Sequence, residues 1–459
     1  MVIVVGTVIV GLPLQTGLQA VFLPLTLGVG AVGVLNLLLH RPWATFQAGV
    51  IDGVSKVGVA LLILLLIGAL VGVWIQGGVV PTLVYYGLRI LSPTFFLPSA
   101  FLVCLLMSLA MGTSYGTIGT VGIALVGVSV ALRVDVPVTA GAVLCGAYFG
   151  DKMSPLSDTT NIAAAVGEAD VFRHIRSMMY TTIPAAIITL GLFFLVGRGE
   201  GSVELDQIPL MLAAIGDHWH VSPLHLVPIL LMLGMALRRV GTLLLLFVSV
   251  VVGMAWAGVF QEGSLASVFS VATVGFVSNT GVGSVDQVLT RGGMTSMQAV
   301  IVLVLLAGAL GGALQATGVL TVLVEGMARW IRSTGGLIAA VLVSCYLVIL
   351  FTGNQALALI LVGQVFLPVF KDRSIDSVVL TRSLEDSGTL AAPLVPWGAA
   401  GGVCSQLLGV PTLQYLPYMW LAFLVPVFSL LYGFTGFAVW GVEGDPGDPP
   451  PEPIRPHRS

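Results

Sequence analysis

The stretch GAYFGDKMSPLSDTTN, residues 146–161, lies between two apolar runs of the chain. It contains two aspartates, a lysine, a proline and several hydroxyl or amide side chains. Because Pro155 has no N–H and bars the residue before it from helical geometry, it predicts a helix break with freed backbone carbonyls. Small hard cations take oxygen ligands, so an oxygen-rich break in an apolar chain predicts an ion site.

The composition is typical of a membrane protein. Of 459 residues, 57% are hydrophobic and 8% are charged, whereas soluble domains carry about a quarter charged residues. The apolar runs are continuous rather than alternating, which favours membrane-spanning helices over a β-barrel. We therefore predict an all-α polytopic protein of the bacterial cytoplasmic membrane, surrounded by lipid. The chain has no basic cluster that would indicate nucleic-acid binding. Four cysteines in apolar runs are expected to be buried: Cys104, Cys145, Cys345 and Cys404.

Long apolar runs mark the clearest predicted spans: 16–39, 57–76, 178–196, 240–260, 298–324 and 415–439, with 223–237 as a shorter candidate. The polar segment 197–221 is expected to be an extramembrane loop, and the proline-rich tail 440–459 to be disordered.

Two regions, 97–132 and 337–370, contain two apolar arms of about fifteen residues around a polar centre. Each arm is short for a full crossing, so we predict re-entrant hairpins; two tilted ordinary helices are the alternative. The polar tips are expected to face the ion, through Thr113, Ser114 and Thr117 in the first hairpin and Asn354 and Gln355 in the second.

A predicted broken helix follows each hairpin, at 136–164 and 377–408, with Asp151 and Asp386 in comparable places. The predicted organisation is an N-terminal helix or helices and loop (1–56), repeat 1 (57–196), a linker loop with scaffold helices (197–297) and repeat 2 (298–439). Five predicted crossings between the starts of the repeats would invert the second. Paired interruptions in two halves of a chain indicate the substrate site of a secondary transporter.

The exchangeable charge is predicted to lie on three carboxylates, Asp151, Asp158 and Asp386, which would bind Na⁺ or H⁺. Neutral oxygens would complete the ion shell, from Ser154, Ser157, Thr159, Thr160, Asn161, Ser387 and Thr389. Glu385 would face away or pair with Arg382. The alternative is an interfacial loop with a solvated aspartate–lysine pair. No cofactor and no catalytic residue are expected.

A different class, the intramembrane aspartyl proteases, also uses membrane aspartates. These enzymes carry a Tyr-Asp pair and a Gly-x-Gly-Asp motif. Here Tyr148 stands where the first glycine would be, and the chain has no Tyr-Asp dipeptide. A transporter is therefore favoured over an enzyme. The histidines His218, His220 and His225 are expected to belong to a surface loop rather than a metal site.

Several motifs together resemble the NhaC-type Na⁺/H⁺ antiporter family. They are GAYFGDKMSPLSDTTN with the following HIRSMMYTTIP, VGVWIQGGVVPTLVYYGLRILSP, RGGMTSM and SLEDSGTLAAPLVPWGAAG. The resemblance implies the inverted repeats, re-entrant hairpins and broken helices of the broader ion-transporter group, and exchange of cytoplasmic Na⁺ for external H⁺. Relatives include a malate/lactate exchanger and carriers of amino acids.

We therefore expect Na⁺/H⁺ exchange across the cytoplasmic membrane by alternating access. The alternative is a Na⁺/H⁺-coupled carrier of an organic anion (malate/lactate type) or an amino acid. An anion carrier should present positive charge near its pocket, and Lys152 is the one obvious nearby cation in the sequence. The sequence leaves open whether the chain forms a homodimer.

Overall fold

The computed structural model describes residues 18–90, 93–198, 207–238, 240–328, 331 and 333–441. Every regular element in these ranges is a helix. Within these ranges, seven helices are long and apolar enough to cross a membrane, or nine if each of two bent helix pairs forms one span. This confirms the predicted all-α polytopic class. The tail from residue 442 onward, for which disorder was predicted, lies outside the described residues.

The helices of the first half are α1 (Phe22–Leu38), α2 (Trp43–Lys56), α3 (Gly58–Gln76), α4 (Val79–Ile90), α5 (Pro93–Met111), α6 (Ser114–Thr117), α7 (Ile123–Ala131), α8 (Val136–Met153), α9 (Asp158–Val166), α10 (Val171–Gly197), α11 (Gln207–His218) and α12 (Val227–Leu237).

Those of the second half are α13 (Thr242–Phe260), α14 (Leu265–Val274), α15 (Gly283–Leu289), α16 (Gln298–Ala316), α17 (Val319–Ala328), α18 (Thr334–Thr352), α19 (Gln355–Asp372), α20 (Ser377–Leu384), α21 (Ala399–Leu408), α22 (Thr412–Tyr415) and α23 (Trp420–Thr435).

Two helical hairpins turn at the predicted polar tips. Gly112 and Gly353 adopt positive φ, at 67° and 61°, and end α5 and α18. The next residues cap the returning helices: Thr113 Oγ1 accepts from the Gly116 N–H, and Asn354 Oδ1 from the Leu357 N–H. The predicted short arms are wrong for α5, α18 and α19, which have 19, 19 and 18 residues and are long enough to cross a membrane. The returning arm of the first hairpin, Ser114–Val130, is shorter than a full span.

The first broken helix has the predicted form. Helix α8 ends at Met153, and Ser154 and Ser157 are extended, with ψ of 130° and 136°. The chain becomes helical again in α9. The break begins immediately before Pro155, as the steric effect of proline requires.

The second break lies later than predicted. Helix α20 continues through a π-helical turn, Glu385–Thr389, and a 3₁₀ turn, Ala392–Leu394. The chain becomes extended only at Val395, which precedes Pro396. Asp386 therefore lies within helix, whereas Asp151 lies in the last turn before its break. The two aspartates are not in comparable places, because it is Pro396, rather than Pro393, that corresponds to Pro155.

The two halves nevertheless share a local pattern. Arg133 and Ser374 both have positive φ, at 51° and 53°. Each stands two residues before an aspartate, Asp135 or Asp376, whose side chain caps the following helix, α8 or α20.

The packing between the two halves is also reciprocal. Helix α9 lies against α19 of the other hairpin, and α21 lies against α7. Each closing helix, α10 or α23, packs on the first arm of its own hairpin.

Helices outside these units form a closely packed scaffold. Helices α2 and α3 join into a 34-residue span. Gly49 and Gly53 of α2 lie on Gly312 and Gly308 of α16, where an added Cβ would meet a backbone oxygen. Small residues let membrane helices approach in this way.

The segment predicted as a loop, 197–221, contains the helix α11, because its sequence from Ile208 is apolar.

Candidate ion-binding site

A cavity of about 440 Å³ lies where the first break, the first hairpin tip and the start of α19 meet. Asp151, which is 8% exposed, lines its inner part. Asp158 and Asn161 also line it and are exposed. The cavity therefore connects a buried carboxylate with the protein surface.

Neutral oxygens surround Asp151. The hydroxyl groups of Ser157 and Ser114 interact with its carboxyl group, as does the Ser114 backbone. Ser157 comes from the break and Ser114 from the hairpin tip. Thr159 lies beside Ser157, with 3.0 Å between their hydroxyl oxygens, and also lines the cavity.

Other polar residues of the break hold its shape. The Thr160 hydroxyl donates to the Lys152 carbonyl at 2.9 Å, and the Asn161 amide donates to the Ser157 carbonyl at 2.6 Å. The buried Ser154 hydroxyl accepts from the Leu156 N–H at 3.3 Å. These contacts satisfy groups that the break removes from the helical hydrogen-bond pattern.

The second half contributes Gln355 to the cavity wall, and Gln355 Nε2 donates to Thr389 Oγ1 at 3.0 Å. The other predicted residues of this half, Asn354, Asp386, Ser387 and Thr389, do not line the cavity. The Ser387 hydroxyl donates to the Ser383 carbonyl within its own helix. In the first hairpin, Thr117 is fully buried and bonds to the Thr113 carbonyl rather than lining the cavity.

A buried ion pair joins the two halves behind the cavity. Lys152 Nζ donates to Asp386 Oδ1 at 2.7 Å, and both side chains are 0% exposed. Thr181 Oγ1 donates to the same oxygen at 3.1 Å. A solvated aspartate–lysine pair at an interface is therefore wrong. The sequence did not show that Lys152 would pair across the halves.

Glu385 is also fully buried and, within the described part of the chain, neither of its carboxyl oxygens has a hydrogen-bond partner. The expected pairing with Arg382 is not seen there. Instead, Arg382 Nη1 donates to the Ala438 carbonyl at 2.8 Å, and its guanidinium carbon lies 5.5 Å from the Trp440 ring centre. Sequence reasoning missed the burial of Glu385, although its position next to Asp386 could have indicated it.

The structure does not gather Asp151, Asp158 and Asp386 into one metal site. Among the described residues, no group of three or more His, Cys, Asp or Glu side chains is arranged to hold a metal ion.

The predicted burial of the cysteines is confirmed for all four. His225 accepts a hydrogen bond from Trp256 Nε1 at 2.9 Å, which gives it a packing role.

Comparison with known proteins identifies the family. The profile of the Na⁺/H⁺ antiporter family matches residues 1–147 and 146–437. The chain is 39% identical over 416 residues to the Na⁺/H⁺ antiporter NhaC of Alkalihalophilus pseudofirmus, covering 90% of each chain. It is 38% identical to NhaC of Bacillus subtilis, covering 90% of this chain and 92% of that one. It is 35% identical over 433 residues to the malate-2H⁺/Na⁺-lactate antiporter of Bacillus subtilis, covering 94% and 91%. The chain therefore belongs to the Na⁺/H⁺ antiporter family.

Proposed function

We propose that this protein exchanges Na⁺ for H⁺ by alternating access, with Asp151 as the exchanging carboxyl group. The observation that carries the proposal is the cavity that connects the buried Asp151 to the exposed Asp158. When Na⁺ binds a protonated Asp151, the carboxyl group releases its proton. When a proton returns, the carboxylate loses its ionic attraction for Na⁺. One carboxyl group thus couples the two ions.

The surroundings of Asp151 suit a small hard cation. Ser114 and Ser157 offer hydroxyl oxygens beside the carboxylate, and Thr159 and Gln355 add further oxygens to the cavity wall. Such neutral and charged oxygen ligands are what Na⁺-like cations prefer. Asp158, at the mouth, would attract cations into the cavity.

The ligands come from elements that can move relative to one another. Ser114 belongs to the first hairpin, Ser157 to the first break and Gln355 to the second hairpin. We take 57–196 and 298–439 as two inverted repeats, and the reciprocal packing of α9 with α19 and α21 with α7 supports this division. Rocking of such units about a central site is how alternating access works in transporters with inverted repeats.

Transport of an organic anion is the second candidate, and the 35% identity to the malate-2H⁺/Na⁺-lactate antiporter supports testing it. The cavity argues against it. Of the described residues that line the cavity, none is Lys, Arg or His. Lys152, the cation nearest in sequence, is held by Asp386. A carboxylate substrate would therefore meet Asp151 and Asp158 without a compensating positive charge.

The experiment is transport by purified protein in liposomes with an acidic interior. External Na⁺ should raise the internal pH, and Asp151→Asn should reduce this rate to that of protein-free liposomes. Asp158→Asn should raise the KM for Na⁺ with less effect on the maximal rate. Asp52→Asn, in an exposed ion pair with Lys56, is the matched control and should behave as wild type.

Two results would reject the proposal. One is full exchange activity in a folded Asp151→Asn protein. The other is an absence of Na⁺-driven pH change in wild type together with uptake of labelled malate or lactate.

A further inference from the structure

Behind the cavity wall, two carboxyl groups share one fully buried cation. Glu385 and Asp386 are adjacent in the π-helical turn, and we call them the buried carboxylate pair. Lys152 bonds to Asp386 and also attracts Glu385 electrostatically. All three side chains are 0% exposed. π-Helical turns are rare and occur often at functional sites.

The pair has more oxygen atoms than its neighbours satisfy. Within the described residues, three carboxyl oxygens have no hydrogen-bond partner: Asp386 Oδ2, Glu385 Oε1 and Glu385 Oε2. Buried polar groups are normally paired, and one left unpaired calls for an explanation. The bond from Lys152 to Asp386 Oδ1, at 2.7 Å, does not account for these three atoms.

The surrounding chemistry is that of a cation site. Thr181 Oγ1 lies 3.1 Å from Asp386 Oδ1, and the buried Thr389 belongs to the same π-helical turn as Glu385. Two carboxylates and two hydroxyl groups are oxygen ligands of the kind that small hard cations take. The ammonium group of Lys152 stands where a free cation would otherwise be attracted.

The position is also close to the transport cavity. Thr389 is bonded to Gln355, and Gln355 and Thr159 line the cavity. The π-helical turn that carries the buried carboxylate pair is thus linked to the cavity wall through Thr389 and Gln355.

We propose that Lys152 is a built-in cation: its ammonium group occupies a second Na⁺-type site formed by Asp386 and Glu385, and so limits the protein to one transported Na⁺ per cycle. The inference rests on the proposed function, in which the first Na⁺ binds at Asp151. Removing the charge of Lys152 leaves the second site to Na⁺. Lys152 is therefore a residue that determines how many cations the protein binds.

The test is equilibrium binding of ²²Na⁺ to purified protein in detergent. Wild type should bind one Na⁺ per chain and K152Q two, whereas K152R, which keeps the charge, should bind one. The triple variant K152Q/D386N/E385Q, which removes both carboxylates of the second site, should return to one. K371Q is the matched control, since Lys371 also pairs across the two halves, with Glu168, but is exposed; it should bind one Na⁺.

The increase in bound Na⁺ from wild type to K152Q tests this inference, and the decrease in bound Na⁺ from wild type to D151N tests the proposed function. The two can therefore fail separately. A folded K152Q that binds no more Na⁺ than wild type overturns the inference. If K152Q does not fold, the double variant K152Q/E385Q is measured in its place, because it keeps Asp386 as a single uncompensated carboxylate. That variant should also bind one Na⁺ more than wild type, and equal binding overturns the inference.

Discussion

At the scale of single residues, the Lys152–Asp386 pair has the largest energetic consequence. Both side chains are fully buried and joined at 2.7 Å. Taking two charges out of water is costly, and their mutual attraction offsets the cost only while both are present. The pair also fixes α8 of the first half against the π-helical turn of the second. Its loss should therefore be felt in stability as well as in ion binding.

We expect Asp386→Asn to destabilise the protein by about 3–5 kcal/mol, because it removes the carboxylate that bonds directly to the buried Lys152 ammonium. K152Q/D386N removes both charges and should recover much of the loss. Thermal unfolding in detergent measures both variants. The exposed Lys56–Asp52 pair provides the comparison, since Asp52→Asn should cost less than about 1 kcal/mol. Similar losses at the two sites would contradict this account.

At the scale of helices, close packing of α8 on α5 positions Asp151. Gly146 and Gly150 of α8 lie against the α5 backbone, where an added Cβ at Gly150 would meet the backbone at Leu105 and Leu109. Small residues at such contacts allow two membrane helices to approach closely. Asp151 follows Gly150 directly, so the distance between the helices sets where the carboxyl group lies in the cavity.

Gly150→Ala should push α8 away from α5, lower the unfolding temperature and raise the KM for Na⁺. Gly191→Ala in α10 is the matched control, because nothing lies within 4 Å of its added Cβ. It should be neutral or stabilise the protein by roughly 0.5–1 kcal/mol, the difference in helix propensity between glycine and alanine. Unfolding temperature and Na⁺-dependent transport would both be measured. A Gly150→Ala protein that matches Gly191→Ala in both would show that the contact is not needed.

At the scale of the whole molecule, the seven to nine candidate spans in the described part of the chain and the family assignment show a multi-pass membrane protein that is a transporter and not an enzyme. The bacterial relatives are consistent with the predicted location in the cytoplasmic membrane. The two halves repeat the same order of hairpin, broken helix and closing helix. Their reciprocal contacts are those expected of two units related by a pseudo-two-fold axis.

If the halves are inverted, the equivalent turns at Arg133 and Ser374 should lie on opposite sides of the membrane. Both residues are exposed. Single cysteines would be introduced as Arg133→Cys and Ser374→Cys after replacement of the four buried native cysteines. A membrane-impermeant thiol reagent should label one position from outside the cell and the other only in inside-out vesicles. Labelling of both from the same side would exclude inversion.

The sequence predicted the parts of the fold that depend on local chemistry. Pro155 located the first break, and the glycine-containing tips located both hairpins, because proline and glycine restrict or permit backbone angles regardless of distant contacts. The lengths of three of the four hairpin arms and the position of the second break were wrong. Pro393 and Pro396 are both compatible with a break, and only the folded chain shows that Pro393 lies within a 3₁₀ turn while Pro396 marks the interruption.

By itself, the sequence determined that the chain spans a membrane, that a helix opens at Pro155 and that Asp151 is beside the break, since hydropathy and backbone geometry act over a few residues. Only the tertiary structure decided which polar groups share a site. It exposed Asp158 at the cavity mouth, joined Lys152 to Asp386 and buried Glu385 beside them. Lys152 and Asp386 are 234 residues apart in the chain, and their pairing depends on how the two halves pack, which no local pattern specifies.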